Sequence, residues 1–180
     1  PLPKRARDVA GAKILLAEAG HPNGIDIDLI VGNTQGRYEQ DCAQILQQNC
    51  AEAGIRINLK VIPATQYWPI WDKAAFSLTY WAHRPLGVMS LELAYRSGAA
   101  WNESHYSDPA FDAALDNAMG IIDPKQRAVA MQSVEQILQD ACVMVQPFWG
   151  DKFTAASKKV QGFQVHPSDF YPMDQVWLSA

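Results

Sequence analysis

The side chains best suited to bind a small molecule follow one predicted strand. Residues 76–81 form a short apolar strand by pattern, and the loop after it contains His83 and Arg84. Trp81 offers a flat apolar face for stacking, and Arg84 offers a fork of N–H donors that fits a carboxylate or a phosphate. In open α/β sheets, ligands bind beyond the carboxyl ends of the strands. The pattern indicates a recognition surface; the alternative is that Trp81 caps the core and Arg84 pairs with an acid.

An irregular segment further along the chain adds side chains of the same kind. Residues 101–106 read Trp-Asn-Glu-Ser-His-Tyr and lack the periodicity of a helix or a strand. Asn102 brings an amide, and Tyr106 brings an aromatic ring with a hydroxyl. Such side chains on loops are typical of binding surfaces.

A catalytic site is not supported by any motif. The acid–base candidates are His83, His105, Asp108, Asp112, Asp123 and Asp151. None of them falls in a nucleophile elbow, a zinc-binding His pair or a phosphate loop. Asp108 and Asp123 each precede a proline where a helix should begin, so we predict that both are N-caps. We predict no catalytic residue, no metal ligand and no cofactor.

The first 62 residues predict helix–strand–helix–strand. The helices cover residues 10–19 and 37–53, and the strands cover residues 25–31 and 55–62. Two strands that flank a crossover helix form a parallel βαβ unit. The fold class is therefore α/β, with a mainly parallel sheet flanked by helices.

The remaining pattern is more helical. A short aromatic helix is expected around Tyr67, another helix over residues 88–95, and longer helices that begin after Asp108 and Asp123. Residues 143–149 and 153–156 are interpreted as strands, and from residue 158 the pattern dissolves into a polar tail that adds strands to another lobe or lies on the surface. The helix residues predicted to face inward are Ile45, Leu46, Asn49, Cys50, Phe111, Ala114, Leu115, Ala118, Val129, Val134, Ile137 and Leu138.

Composition limits the class of protein. The chain has 180 residues and a net charge of −4, and its 48% hydrophobic content can bury a core. The acidic balance argues against a nucleic-acid partner. The three cysteines are predicted to be small buried residues. The first residues include neither an initiator Met nor an apolar signal region, so we expect the chain to begin inside a longer one.

Several segments together carry a resemblance to a known family. They are residues 12–20 followed by Pro22-Asn23-Gly24, the Ala53-Gly54-Ile55 entry to a strand, Asn102 with Tyr106-Ser107-Asp108-Pro109-Ala110-Phe111-Asp112, Asp123-Pro124 with Arg127, and Pro147-Phe148-Trp149. In this order they resemble the carboxyl-terminal lobe of the family 5 extracellular solute-binding proteins. These are the peptide/nickel-type substrate-binding components of ABC importers. The resemblance covers nearly the whole chain.

The resemblance implies a two-lobed, periplasmic-binding-protein-like receptor that closes on its ligand by a hinge. Residues 1–150 would be the carboxyl-terminal lobe and residues 151–180 a crossover strand and tail, with the amino-terminal lobe absent from this chain. The partners would be a peptide or other small polar ligand and an ABC permease in the membrane. The location would be periplasmic or extracytoplasmic, with a lipid anchor upstream as an option.

The resemblance also implies which residues bind the ligand. Peptide-binding members carry an Asp in the loop after the third strand, where it pairs with the peptide's α-amino group. Residues 81–87 contain no acid, and Arg84 instead favours a carboxylate, a phosphate or a hydroxyl-rich group. The predicted substrate-binding residues are Trp81, His83, Arg84, Asn102 and Tyr106. The alternative function is a free-standing α/β enzyme or a ligand-sensing domain that uses His83, His105 and a nearby Asp.

Overall fold

The computed structural model describes residues 2–3, 5–148, 150, 153–166 and 170–179. They form two compact units. Unit 1 comprises Pro1–Tyr80 and Trp101–His105, and unit 2 comprises Trp81–Ala100 and Tyr106–Ala180. The elements are α1 (Val9–Glu18), β1 (Ile25–Val31), α2 (Arg37–Ala51), β2 (Ile55–Val61), α3 (Ala64–Tyr67), β3 (Ser77–Leu78), α4 (Gly87–Tyr95), α5 (Pro109–Gly120), α6 (Pro124–Ala141), β4 (Val160–Gln161), a 3₁₀ turn (Met173–Gln175) and β5 (Trp177–Leu178).

Unit 1 is built on a parallel sheet with strand order β2-β1-β3. The β1–β2 pair is in register from Ile25 opposite Ile55 to Val31 opposite Val61. Alternation of apolar and polar residues sends one face of each strand into the core, and β-branched side chains suit that pleated surface. The predicted α/β class with a parallel sheet is confirmed. The third strand is shorter than predicted, since only Ser77–Leu78 pair with β1.

Helix α2 packs on this sheet through a face that differs from the predicted one. Glu39 and Ala43 are fully buried, and the core around Ala43 also includes Leu46 and Cys50, both partly buried. These four positions share one helical face, because they recur at intervals of three or four residues. Ile45 lies on the opposite side and is 58% exposed. The prediction that Ile45 and Asn49 face inward was therefore wrong.

Unit 2 is centred on a helical core. Its buried members are Val88, Phe111, Leu115, Ala118, Val134 and Leu138. Helix α5 begins as predicted, with the Asp108 carboxylate accepting a hydrogen bond from the Ala110 amide, and Asp123 caps α6 in the same way through Gln126. Val129 is 66% exposed, because it lies off the helical face that Val134 and Leu138 share, so its predicted inward position was wrong.

The chain after α6 differs most from the prediction. Cys142 ends the helix in a left-handed conformation and is exposed, not buried as predicted. Residues 143–148 and 153–156 form no strand, since they pair with no other strand in the described chain. The predicted strand end at residue 149 and the candidate Asp151 lie outside the described residues. The tail instead pairs with itself, because β4 and β5 form a two-stranded antiparallel sheet. The predicted boundary near residue 150 stays a prediction.

Candidate functional site

The carboxyl edge of the sheet in unit 1 carries several buried and half-buried polar side chains. Strands β1, β2 and β3 run parallel, so the loops that follow Val31, Val61 and Leu78 begin at the same edge. This is the edge at which open α/β sheets bind ligands. The side chains there form two hydrogen-bonded groups, one on each side of a glycine.

The first group is a buried carboxylate that holds the loop after β1. Glu39 lies in the first turn of α2 with no exposed surface. Its two oxygens accept hydrogen bonds from the Thr34 amide at 2.6 Å and from the Thr34 hydroxyl at 2.7 Å. A negative charge in a first helical turn is also stabilised by the helix dipole. These contacts fix the loop, in which Asn33 adopts a left-handed backbone conformation with φ of 46°.

The second group is a chain of three side chains beside β3. The hydroxyl of Tyr67, a fully buried residue, lies 2.7 Å from the Thr79 hydroxyl and 3.1 Å from the Leu78 carbonyl. The Thr79 hydroxyl in turn donates to the Glu103 carboxylate at 2.5 Å. Since a hydroxyl has one proton, Thr79 must receive its other bond from Tyr67. Burial raises the pKa of Tyr67 above its usual value, so the phenol stays a donor at neutral pH.

Gly32 separates the two groups and allows them to pack. A Cβ atom at position 32 would overlap the ring of Tyr67, so any larger residue would displace the ring. Gly32 is the first residue after β1, and Tyr67 ends α3. Close approach of backbone and ring is therefore what brings the loop after β1 next to the chain of hydroxyls at β3.

The loop that contains three of the predicted ligand-binding residues opens unit 2. Trp81 and Arg84 are half-buried, and His83 is exposed. The Arg84 guanidinium donates to the carbonyl of His83 at 3.4 Å. Among the described residues, no carboxylate pairs with Arg84, which removes the alternative of an internal ion pair within that part of the chain. A half-buried guanidinium with only a carbonyl partner retains donors for an anionic ligand.

The other two predicted residues have internal roles. Asn102, in unit 1, is buried, accepts a hydrogen bond from the Ser104 hydroxyl at 2.8 Å and stabilises a turn in which His105 has φ of 53°. Tyr106, in unit 2, donates to Asp108 at 2.9 Å and packs edge-on against Phe111. Burial, and then the bond to Asp108, raise the pKa of Tyr106 to about 12. Their contact with a ligand stays a prediction.

Five residues of this edge were not predicted from the sequence. They are Thr34, Glu39, Tyr67, Thr79 and Glu103. The Gly-Asn-Thr run directly after a strand was a usable signal, since loops at strand ends carry function. The hydrogen bonds that join Tyr67, Thr79 and Glu103 had no such signal, because Thr79 and Glu103 are 24 positions apart in the sequence.

Three further observations concern the described part of the chain. A cavity of about 320 Å³ lies in unit 1 near the start of β1 and is lined by residues that include Lys13, His21 and Gly54. The described residues contain no cluster of three or more His, Cys, Asp or Glu side chains that could hold a metal ion. None of the described helices has the length and apolar character needed to cross a membrane.

Comparison with known proteins identifies the class. The family model of the bacterial extracellular solute-binding proteins, family 5 Middle, matches residues 1–102, which is more than half of the chain. The chain therefore belongs to this family, as the resemblance implied.

Individual relatives are distant. The chain is similar to heme-binding protein A of Haemophilus influenzae, with 24% identity over 89% of this chain and 31% of that protein. It is similar to glutathione-binding protein GsiB of Pectobacterium atrosepticum, with 24% identity over 96% of this chain and 36% of that protein. The chain thus spans about a third of the length of the curated relatives it matches.

Solved structures have the same fold. HbpA2 from Haemophilus parasuis matches 99% of this chain and 37% of its own, with a TM-score of 0.71 and 24% identity. Clavulanic acid biosynthesis oligopeptide binding protein 2 matches 96% of this chain and 34% of its own, with a TM-score of 0.78 and 20% identity. These likenesses confirm that the predicted periplasmic-binding-protein-like fold is correct.

Proposed function

We propose that this chain is part of a non-catalytic substrate-binding component of an ABC importer that works outside the cytoplasmic membrane. The full protein captures a small solute between two lobes and delivers it to a membrane permease. The chain supplies the carboxyl-terminal lobe, and the opposing amino-terminal lobe lies elsewhere in the gene product. Family membership supports this proposal, together with relatives that are about three times as long as the chain.

The solute in this proposal is a small peptide-like or other polar molecule that carries a carboxylate. The observation that carries this is the Arg84 guanidinium, which is half-buried and has only the His83 carbonyl as a partner among the described residues. Heme and glutathione, which the names of two relatives specify, both carry carboxylates. Carboxylate pairing at Arg84, stacking on Trp81 and a hydrogen bond from His83 form the recognition set.

A charge-matched pair of variants tests this role. We expect Arg84→Ala in the full gene product to weaken binding of reduced glutathione by about tenfold to a hundredfold, because a charge-assisted hydrogen bond is lost. The control is Arg56→Ala, since Arg56 pairs with Asp26 at the amino end of the sheet. Titration calorimetry measures both. Equal affinities for the two variants would contradict the role of Arg84, and Arg84→Lys should recover only part of the binding.

A further inference from the structure

Three candidates lie outside the recognition set. Among the described residues that line the cavity near Lys13 and His21, no polar side chain is buried. The tail has exposed apolar residues, but nothing in the structure shows what covers them. The hydrogen bonds that join Tyr67, Thr79 and Glu103 are different, because they are continuous, begin at a buried tyrosine and include a residue two positions before Trp81.

The chain of hydrogen bonds joins three separate stretches of unit 1. Tyr67 ends α3, Thr79 follows β3 directly, and Glu103 belongs to the segment of residues 101–105 that returns to this unit. Strand β3 pairs with β1 at only two positions, so its own backbone ladder holds it weakly. The side-chain bonds at Thr79 therefore contribute a large share of what fixes the polypeptide as it leaves the sheet.

We propose that Thr79 is a positioning residue for solute binding, which the Glu103 carboxylate and the Tyr67 hydroxyl hold in place. Thr79 stands two residues before Trp81 and five before Arg84 in the sequence. A loop that must present a stacking face and a guanidinium to a solute binds more tightly when its starting point is fixed beforehand. This proposal rests on the proposed function, because the loop matters only if it binds solute.

The geometry of these hydrogen bonds explains why the hydroxyl of Thr79 matters more than the rest of its side chain. Thr79 acts at once as a donor to Glu103 at 2.5 Å and as an acceptor from Tyr67 at 2.7 Å. Valine has nearly the same volume but makes neither bond, and it would leave Tyr67 with only its weaker partners, the Leu78 carbonyl at 3.1 Å and the Ser77 hydroxyl at 3.4 Å. Serine keeps both bonds and loses one methyl group.

The test compares Thr79→Val, Thr79→Ser and Gln47→Ala in the full gene product. Gln47 is the matched control, because its amide donates to the Ile57 carbonyl of the same sheet without reaching the carboxyl edge. Amide hydrogen exchange without solute is measured first. We expect Thr79→Val to speed exchange at residues 80–84 by about tenfold, and the other two variants to leave that segment unchanged.

Titration with reduced glutathione then measures the consequence. Thr79→Val should weaken binding by about tenfold, whereas Thr79→Ser and Gln47→Ala should stay within about twofold of the parent protein. Unchanged exchange at residues 80–84 in Thr79→Val would overturn the proposal, as would an equal loss of affinity in Gln47→Ala. Faster exchange at residues 80–84 in Thr79→Val, together with full affinity in Arg84→Ala, would show that Thr79 fixes these residues but that they do not bind the solute, which would overturn the proposed function.

Discussion

The carboxyl edge of the sheet in unit 1 and the helical core of unit 2 differ in the polarity of the side chains that they bury. The helical core buries six apolar side chains, which include Phe111 and Leu115. The sheet edge buries Glu39 and the hydroxyl of Tyr67, each with short hydrogen bonds. Burial of apolar surface is non-directional and contributes to stability in proportion to area. Buried hydrogen bonds add little net stability but fix groups in one position.

This difference indicates that the two regions have different roles in the protein. The helical core holds unit 2 together and tolerates exchange of similar apolar side chains. The sheet edge maintains the geometry of the loops that follow β1 and β3, and it tolerates little change. Variants of the helical core and variants of the sheet edge should therefore differ in the property that they lose and in the size of that loss.

The largest effect is expected from emptying the helical core. Phe111 is fully buried, so Phe111→Ala should lower the free energy of unfolding by about 3–5 kcal/mol through lost burial and a cavity. Phe153 is 91% exposed, so Phe153→Ala in the same protein should change it by less than about 0.5 kcal/mol. Denaturant unfolding measures both. Similar losses for the two variants would show that Phe111 is not the centre of this core.

A smaller effect is expected from one added methyl group at the sheet edge. Gly32→Ala places a Cβ against the ring of Tyr67, and displacement of that ring should cost about 1–3 kcal/mol. Gly120, at the end of α5, has open space around it, so Gly120→Ala should be neutral or slightly stabilising. If Gly32→Ala unfolded at the same denaturant concentration as Gly120→Ala, the edge would not be closely packed.

The smallest effect concerns Tyr106, whose hydroxyl donates a hydrogen bond to Asp108 in unit 2. The pKa of Tyr106 is raised to about 12, whereas an unfolded tyrosine ionises near 10. The folded state thus holds the proton more tightly, so the stability is fully present below pH 10 and is lost as pH rises towards 12. Tyr106→Phe should make the decline in the unfolding free energy over this range shallower. Denaturant unfolding across this pH range measures the decline, and an unchanged decline in Tyr106→Phe would contradict this role of the hydroxyl.

Local pattern was sufficient for the elements that local chemistry determines. Alternation predicted β1 and β2, and the Asp-Pro pairs at Asp108 and Asp123 predicted both helix starts, because an N-cap and an N1 proline act within one turn. Residues 143–148 share the apolar character of a strand, yet a strand also needs a partner, and nothing local specifies one.

The site was predictable only in part, for the same reason. A loop with Trp81 and Arg84 after a strand is visible in sequence. The burial of Glu39 is not, because a charged residue in a first helical turn is usually solvated, and the two hydrogen bonds that its carboxylate accepts from Thr34 are visible only in the structure. Asn102 and Tyr106 have hydrogen-bond partners within their own units, and their contact with a ligand stays a prediction.

The contact between the solute and residues 81–84 is tested most directly by a hydrogen-exchange footprint of reduced glutathione on the full gene product. Exchange at residues 81–84 should slow when the solute is added, and no such change should occur in Arg84→Ala. Protection confined to the cavity near Lys13 and His21, or no change at residues 81–84, would show that residues 81–84 do not bind the solute.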